Sequence, residues 1–219
     1  MCGILGYLST QTIDTKCLER LMHQSKIRGK HATGISYINK DKLISKIIPK
    51  DATYMQFANV KTKMLIGHTR YSTSSLKYNQ PIGDDNVSIV HNGVITQQHS
   101  RYWNNTIYKF KTSNDSEFIL KSYLEQQHPL ISYPNASIAS IIIDKKTKAI
   151  HFFRNEKRPL YYYKSKEILV ITSTKDILKR SGFSDENCIY KCAPCVSYKA
   201  KSDLSLELKL MRKEKKDLQ

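Results

Sequence analysis

The chain has 219 residues and a formal net charge of +17, a length that suits one domain with a sizeable core and leaves no comfortable room for a second catalytic domain. It contains no basic leader before a long apolar stretch and no run near the roughly 18 apolar residues of a membrane span, so we expect a soluble, cytoplasmic protein. Its five cysteines, an odd number, argue against a disulfide framework and for reduced thiols.

Short runs rich in Ile, Val or Tyr, each bounded by turn-forming residues, predict nine strands. In chain order they are Gly3–Leu8, Thr33–Ile38, Leu43–Ile48, Met64–Thr69, Val87–His91, Ile138–Ile143, Ala149–Phe153, Leu160–Tyr163 and Ile168–Thr172. The strands come in blocks with helices inserted between them, without regular β-α-β alternation. This order favours a layered α+β fold over a doubly wound parallel sheet.

Three helices are predicted between these strands. The first begins after Asp14 and closes at Arg28-Gly29. The second begins near Asn114-Asp115-Ser116 and must stop before His128-Pro129, because the residue before a proline disfavours the helical conformation. The third is short and covers residues Lys175–Ser181.

The sequence contains no internal repeat or low-complexity linker. The motifs described below end near residue 200, so we divide the chain into one domain, residues 2–200, and a basic C-terminal tail, residues 201–219. From Lys209 onwards the composition predicts a frayed basic helix or disorder, and a solvated terminus rather than a docking or nucleic-acid arm.

Cys2 is the first candidate for chemistry. Removal of Met1 would leave one residue that carries both a thiol and a free α-amine. An α-amine titrates at about pH 7.7–8.0, close enough to a thiol to move a proton to and from the sulfur at neutral pH. The alternative is a small buried residue on the first strand, and Met1-Cys-Gly-Ile4 alone does not separate the two interpretations.

Two later segments contain binding groups. Gly67-His-Thr-Arg-Tyr-Ser-Thr73 places Arg70 just past a strand end, in a hydroxyl-rich turn where a guanidinium can hold a carboxylate through two hydrogen bonds. His91-Asn-Gly93 follows another apolar strand, and the Asn92 amide beside the Gly93 N–H offers two neutral donors to one oxygen, as an oxyanion hole requires. Asn-Gly after a strand is also a common hairpin signal, and on its own this segment predicts a hairpin.

Asp115 lies at the predicted start of the second helix. An acid at that position is ordinarily a cap or a partner of the helix dipole. Beside Arg70 it completes a set, with a cation for an α-carboxylate, an anion for an α-ammonium, two donors for a carbonyl oxygen and one thiol. Those are the groups that recognition and hydrolysis of glutamine require.

These motifs together resemble the class II glutamine amidotransferases, the family of the glutaminase domains of glutamine phosphoribosylpyrophosphate amidotransferase, glucosamine-6-phosphate synthase and asparagine synthetase. The motifs are Met1-Cys-Gly-Ile4, Arg28-Gly29 with Ala32-Thr-Gly34, Gly67-His-Thr-Arg-Tyr-Ser-Thr73, His91-Asn-Gly93 and Asp115-Ser-Glu117, followed by Arg154-Asn155, Arg158-Pro-Leu160 and Thr172-Ser-Thr174. Each fragment is weak alone, but their order and separations make the resemblance specific up to about residue 200.

The resemblance implies a four-layer αββα sandwich of the N-terminal-nucleophile hydrolase type, an α+β fold with two antiparallel sheets between layers of helices. It implies that Cys2 is the nucleophile and, through its amine, the base. It implies that Arg70 binds the substrate carboxylate and Asp115 its ammonium. Asn92 and Gly93 would form the oxyanion hole.

The resemblance also covers two loops. The turn from Tyr71 to about Tyr78 is similar to the family's mobile glutamine loop, with Thr73 as a substrate contact. Arg28 and Gly29 match a loop that supports the nucleophile end of the site. The chain departs from the family at Lys30-His31, where an acidic residue is usual, and at Gln97-Gln98, where relatives often have an asparagine.

The remaining cysteines and aromatic residues have simpler interpretations. Cys192-Ala-Pro-Cys195 with Cys188 nearby supplies three clustered sulfurs, whereas a structural zinc needs four ligands, so we expect no metal. Cys17 is expected in the core. Tyr161-Tyr-Tyr163 is explained by alternating faces of a strand rather than by base stacking.

The predicted function is hydrolysis of glutamine to glutamate and ammonia through a γ-glutamyl thioester, without a metal or an organic cofactor. Because the sequence ends soon after these motifs, the ammonia is expected to pass to a separate synthase or synthetase. A first alternative is a hydrolase that cuts a γ-glutamyl amide of another small molecule, since Arg70 and Asp115 would bind either substrate. The oligomeric state is not indicated.

A second alternative follows from the charge. The excess of 36 Lys and Arg over 19 Asp and Glu fits an acidic partner or nucleic acid, and hence a non-catalytic basic binding module. An AT-rich genome would produce the same abundance of Lys, Ile, Asn and Tyr. The presence of Cys2, Arg70, Asn92 and Asp115 argues against a module that has lost its chemistry.

Overall fold

The computed structural model describes residues 2–72, 77–103 and 108–211. Within these ranges thirteen strands form two antiparallel sheets. The strands are β1 (Gly3–Ser9), β2 (Ala32–Asn39), β3 (Lys42–Ile48), β4 (Met64–Arg70), β5 (Ile82–Gly83), β6 (Val87–Val94), β7 (Ser137–Asp144), β8 (Ala149–Arg154), β9 (Tyr161–Lys164), β10 (Ile168–Thr172), β11 (Ile189–Lys191), β12 (Val196–Lys201) and β13 (Leu206–Leu210). The helices are α1 (Thr15–Ser25), α2 (Glu117–Leu124), α3 (Pro129–Ser132) and α4 (Lys175–Arg180).

The two sheets stack face to face. The first has the strand order β11-β9-β10-β1-β4-β2-β3, and the second has the order β13-β12-β8-β7-β6-β5. Helices α1 and α4 cover the outer face of the first sheet, and α2 and α3 cover the outer face of the second. Three apolar cores fill the spaces between these layers. The result is the predicted four-layer αββα sandwich.

Side-chain alternation along β1 separates two of these cores. Leu5 and Tyr7 belong to the core beneath α1, whereas Ile4 and Leu8 belong to the core between the sheets. Because successive side chains of a strand point to opposite faces, Cys2 continues the series that faces the other sheet. The strand therefore delivers its first residue to the end of the space between the two sheets.

All nine predicted strands are present, and the three predicted helices correspond to α1, α2 and α4. The sequence patterns did not indicate α3, which begins at Pro129. Proline suits the first position of a helix because it lacks the N–H that would remain unbonded there, and His128 Nδ1 accepts a hydrogen bond from the Leu130 N–H at 3.2 Å. In the described part of the chain, no helix combines the length and the apolarity that crossing a membrane requires.

Four strands were also missed, namely β5, β11, β12 and β13. The second sheet extends past residue 200, because β12 ends at Lys201 and β13 pairs with it along Leu206–Leu210. The prediction of a frayed helix or disorder is wrong for Lys209 and Leu210, which belong to β13. Residues 212–219 lie outside the described ranges, and the domain boundary near residue 200 stays a prediction.

Candidate active site

A cleft opens at the end of the sandwich where β1 begins and where β4 and β6 end. Its volume is about 550 Å³. It brings together four of the predicted site residues, Cys2, Arg70, Gly93 and Asp115. Asn92, Arg28 and Gly29 are absent from its described walls, and Thr73 lies outside the described residues. The thiol, the two charged groups and one backbone donor therefore share a single space.

Cys2 precedes β1 and is half-buried. Its Sγ lies 3.9 Å from the Tyr71 carbonyl oxygen. Arg28 Nε donates a hydrogen bond of 3.0 Å to the Cys2 carbonyl oxygen, and burial lowers the pKa of Arg28. Gly29 lies so close to the end of β4 that a Cβ would meet the Arg70 carbonyl carbon at 2.3 Å. Arg28 and Gly29 thus hold the Cys2 end of the chain against β4.

Arg70 is the last residue of β4. Leu65 packs beneath α1 and Ile66 packs between the sheets, so alternation puts Arg70 on the inter-sheet side. Its Nη1 donates to the Tyr78 carbonyl oxygen at 2.7 Å and to Asn79 Oδ1 at 2.6 Å. Burial lowers the pKa of the guanidinium, which remains a cation at neutral pH. The cation is therefore held in place at the wall of the cleft.

Asn92 lies within β6 and not at a turn, so the hairpin interpretation of His91-Asn-Gly93 is wrong. Val90 packs between the sheets, and Asn92, two residues later, points to the same side. Asn92 is 2% exposed, and its Nδ2 has no hydrogen-bond partner among the described residues. A buried donor without an acceptor costs free energy, which fits a donor that serves a bound ligand.

Gly93 presents its N–H to the open edge of the second sheet. Ile138, directly opposite on β7, bonds through its N–H and C=O to Asn155, at 3.1 and 2.9 Å, on the side of β8. The Gly93 N–H therefore points away from β7, to the same edge as the His91 N–H. Gly93 has φ of 153°, and a Cβ there would lie 1.8 Å from the Ser137 carbonyl oxygen, so only glycine fits this position.

Asp115 precedes α2 but does not cap it, because Ser116 occupies the cap position. Its Oδ2 accepts hydrogen bonds from the Ile95 and Thr96 N–H groups at 2.6 and 3.2 Å. Those two residues directly follow β6. The carboxylate therefore ties the segment after Gly93 to the start of α2 and lines the cleft.

A network that the sequence patterns did not indicate holds β6 at the sheet edge and on its helix side. Gln80 Oε1 accepts from the His91 N–H at 2.6 Å and Gln80 Nε2 donates to the His91 carbonyl at 3.1 Å, so one side-chain amide replaces a neighbouring strand. Ser116 Oγ lies 3.0 Å from Gln80 Nε2 and 2.9 Å from His91 Nδ1. His91 Nε2 lies 3.1 Å from the Ser137 carbonyl, which can only accept, so Nε2 carries the hydrogen. Burial lowers the pKa of His91.

Two further residues of the cleft were not predicted as functional. His68 belongs to the Gly67–Thr73 motif, and its spacing of two from Arg70 on a strand is a signal that could have identified it. Trp103 donates from Nε1 to the Gln98 carbonyl at 2.9 Å, and its ring packs 5.0 Å from that of Phe118. The ring is placed partly by Phe118 on α2, and no local pattern indicates that contact.

The other cysteines lie away from the cleft. Cys17 is buried in the core beneath α1, as predicted. Cys192 is fully buried, and burial raises the pKa of its thiol. In residues 2–72, 77–103 and 108–211, no three His, Cys, Asp or Glu side chains are placed to hold a metal ion together.

A protein-family model described as "Glutamine amidotransferase domain" matches residues 51–193, well over half of the chain. The chain belongs to the class II glutamine amidotransferases. The matched range of this amidotransferase includes Arg70, Asn92, Gly93 and Asp115 and begins after Cys2. As a member of this family, the chain is an enzyme.

Curated relatives carry the name glutamine–fructose-6-phosphate aminotransferase [isomerizing]. The protein of Francisella tularensis is 32% identical over 130 residues, which cover 54% of the amidotransferase and 21% of the relative. The protein of Helicobacter pylori is 26% identical over 203 residues, which cover 81% and 33% respectively. The chain thus spans about a third or less of the length of these relatives.

Solved structures share the fold. Glutamine phosphoribosylpyrophosphate amidotransferase from B. subtilis, complexed with ADP and GMP, superposes with a TM-score of 0.76 at 18% identity. A structure described as the allosteric regulatory enzyme of purine biosynthesis superposes with a TM-score of 0.79 at 18% identity. Each match covers 95% of the amidotransferase and 49% of the other chain.

Proposed function

We propose that this amidotransferase hydrolyses glutamine to glutamate and ammonia through a γ-glutamyl thioester on Cys2. The observation that carries the proposal is the presence of Cys2, Arg70, Gly93 and Asp115 in one cleft. Glutamine has a carboxylate, an ammonium and an amide carbonyl, and each of these has a counterpart among the four residues.

In the first half of the proposed reaction, the Cys2 thiol passes its proton to the α-amine of the same residue, and the thiolate attacks the side-chain carbonyl carbon. A bond forms between sulfur and carbon, and Asn92 Nδ2 and the Gly93 N–H donate to the oxyanion. The carbon–nitrogen bond then breaks, and ammonia leaves with the proton from the α-amine. The Gly93 N–H is available as the second oxyanion donor because it points away from β7 and is not used in pairing with that strand.

In the second half, water attacks the thioester while the α-amine takes its proton. The sulfur–carbon bond breaks, glutamate leaves, and the proton returns to the sulfur. None of these steps uses a metal or an organic cofactor. The scheme requires a free α-amine on Cys2, so we propose that whatever precedes Cys2 is removed from the mature enzyme.

Recognition of the non-reacting end is assigned to two charged side chains. Arg70 would bind the α-carboxylate and Asp115 the α-ammonium. Both are anchored by the backbone, Arg70 through the Tyr78 carbonyl and Asp115 through the N–H groups that follow β6. Anchored charges lose little conformational entropy when the substrate binds.

The fate of the ammonia is a further part of the proposal. The name of the relatives describes transfer of an amino group from glutamine to fructose 6-phosphate. By analogy, we propose that ammonia released in this cleft is consumed by a synthase or synthetase that binds the acceptor outside the described domain. Co-purification with the native partner, followed by ammonia-release assays with and without it, tests this part separately.

The hydrolysis itself is tested by ammonia release from glutamine. Cys2→Ala should abolish turnover without loss of folding, whereas Cys195→Ser, at a half-buried thiol outside the cleft, should match the wild type. Intact-mass analysis of active enzyme should show Cys2 as the first residue. Full activity of protein that retains Met1 would refute the role of the α-amine.

A panel of γ-glutamyl amides completes this experiment. Turnover of another γ-glutamyl amide without turnover of glutamine would keep the thioester chemistry and contradict the substrate assignment. Turnover of neither by folded protein, with or without the partner, would contradict the proposed hydrolysis.

A further inference from the structure

His68 lies at the floor of the cleft, between the two sheets. On β4 it stands two residues before Arg70, and its pairing partners are Ile4 on β1 and Gly34 on β2. Side chains alternate along a strand, so His68 points to the same side as Arg70 and Cys2, one step deeper in the sandwich. It is 1% exposed and nevertheless lines the cleft.

Both ring nitrogens of His68 are buried, and neither makes a hydrogen bond of ordinary geometry to a described residue, although the His91 backbone lies close enough to the ring to favour its protonated form. Nδ2 of Asn92, on the inter-sheet side of β6, is likewise buried without a hydrogen-bond partner among the described residues. A neutral imidazole has one donor and one acceptor, and leaving them unpaired in a buried site costs free energy. At least one ring nitrogen therefore lacks a partner in the described protein, and a bound molecule would supply it.

We propose that His68 is a substrate-binding group that hydrogen-bonds to the reacting amide of bound glutamine, an inference that rests on the proposed glutaminase function. His68 lies deeper between the sheets than Arg70, and so beyond the group assigned to the α-carboxylate. Arg70, assigned to the α-carboxylate, lies one strand step nearer the end of the sheet, and the substrate side chain must extend from it towards Asn92. His68 lines the cleft, and Asn92 lies behind its described wall, on the inter-sheet side of β6.

The contribution of His68 is a hydrogen bond and not proton transfer. Burial, together with the neighbouring Arg70 and His91, lowers the pKa of His68 to about 3. The ring therefore stays neutral near pH 7, and the α-amine of Cys2 keeps the role of base. A neutral group that can donate and accept suits an amide, which does both.

The kinetic test compares His68→Leu, His68→Gln and the matched control His128→Leu. His128 Nε2 is also buried without a partner among the described residues, but this histidine lies at the start of α3, outside the cleft. His68→Leu should lower kcat/KM by about ten- to a hundredfold, because the substrate loses one hydrogen bond in a closed site. His68→Gln should recover part of this loss, and His128→Leu should match the wild type.

Thermal unfolding separates a binding role from a structural one. Replacing an unpaired buried imidazole by leucine removes unsatisfied polar atoms, so the Tm of His68→Leu should equal or exceed that of the wild type. Wild-type kcat/KM in His68→Leu would overturn the inference. A loss of activity that accompanies a lower Tm and is not recovered in His68→Gln would also overturn it.

A binding measurement checks the same inference without turnover. In Cys2→Ala protein, added glutamine should shift the ¹⁵N resonances of the His68 ring and leave those of the His128 ring unchanged. Shifts elsewhere in the cleft without a shift at His68 would contradict the inference alone. An absence of any glutamine-dependent shift, together with an inactive wild type, would instead contradict the proposed function.

Discussion

The two sides of β6 at the cleft carry similar polar groups in opposite states. On the helix side, His91 has both ring nitrogens within hydrogen-bond distance of Ser116 and Ser137. On the inter-sheet side, His68 of β4 and Asn92 have buried nitrogens without partners among the described residues. Burial does not explain the difference, because His68 and His91 are each 1% exposed and Asn92 is 2% exposed.

We interpret the paired groups on the helix side as structural support for β6 and the unpaired groups on the inter-sheet side as ligand-binding groups. Buried polar groups in a scaffold are ordinarily paired, because the protein must replace the water that they lost. The helix side meets this requirement and fixes the backbone of β6. The inter-sheet side does not, and we assign its unpaired groups to the substrate. Substitutions on the helix side should therefore lower stability, and substitutions on the inter-sheet side should lower activity.

The largest expected effect is at Arg70. Arg70→Ala should lower kcat/KM by about 2–5 kcal/mol, mainly through KM, because a charge-assisted partner of the α-carboxylate is lost. Arg70→Lys keeps the charge but loses the planar fork, so its value should lie between those of the alanine variant and the wild type. Steady-state kinetics with a folding check on each variant measures this. An unchanged KM in Arg70→Ala would remove Arg70 from the substrate site.

Asn92→Ala should lower kcat by roughly 10²–10³ with little change in KM, because an oxyanion donor acts only on charge that develops in the transition state. Its stability should be close to that of the wild type, since Nδ2 makes no hydrogen bond to a described residue. Asn155 is the matched control, because its Nδ2 donates to the Ala136 carbonyl at 2.7 Å and its Oδ1 accepts from the Ile138 N–H at 3.1 Å.

Asn155→Ala should therefore show the reverse pattern, with a loss of roughly 1–3 kcal/mol in the free energy of unfolding. Kinetics and urea unfolding of both variants give the comparison. Wild-type kinetics in Asn92→Ala would exclude Asn92 from the oxyanion hole.

Gln80→Ala tests the helix side. It leaves the buried N–H and C=O of His91 without their partner, which should lower the free energy of unfolding by roughly 1–3 kcal/mol. Because His91 adjoins Asn92, kcat should also fall. Gln11→Ala, at an exposed glutamine far from the cleft, should change neither quantity. A Gln80→Ala protein of wild-type stability would show that the side-chain amide does not support the strand.

A separate effect concerns the pH dependence of folding stability. The pKa of His68 is lowered to about 3, and the pKa values of His128 and His151 are lowered to about 4, in each case mainly by burial. An unfolded histidine titrates at about pH 6.5, so between these values the unfolded chain binds more protons than the folded one. Stability is therefore present above about pH 6.5 and is lost as the pH falls towards 4.

Within this window, each of these histidines should lower the free energy of unfolding by about 1.4 kcal/mol for every pH unit of acidification. Urea unfolding at pH 7, 6 and 5 measures the slope, and His128→Leu should reduce it by the share of one histidine. A slope that is unchanged in this variant would mean that His128 is not held neutral in the folded protein.

The sequence predicted the strands whose side chains alternate in long apolar runs, because that pattern depends only on neighbours in the chain. It missed β11, Ile189–Lys191, which is short and mostly exposed, and β13, whose Leu-Glu-Leu-Lys-Leu alternation lies beside a strongly basic terminus. Both are edge strands, and they exist because an inner strand is available to pair with them. No local pattern contains that information.

Within the site, the motifs identified the residues that line the cleft but not those that hold it. Cys2, Arg70, Gly93 and Asp115 were each predicted from chemistry at a strand or helix end. Gln80 was missed because its role depends on meeting His91, eleven residues away, through backbone atoms. A single glutamine in a loop has no sequence signature for that contact.

The brevity of β5 has a consequence for how enzymes of this shape can vary. With only Ile82 and Gly83 paired to β6, the rim of the second sheet stops short of Gly93, and a side chain rather than a strand occupies the next position. An insertion that lengthened β5 would continue the ladder to Gly93 and pair the N–H that we assign to the oxyanion hole. Such a protein would have a longer sheet with fewer unpaired edge groups. On the proposed mechanism it would lack one of the two oxyanion donors, so the short length of β5 would be a requirement for activity.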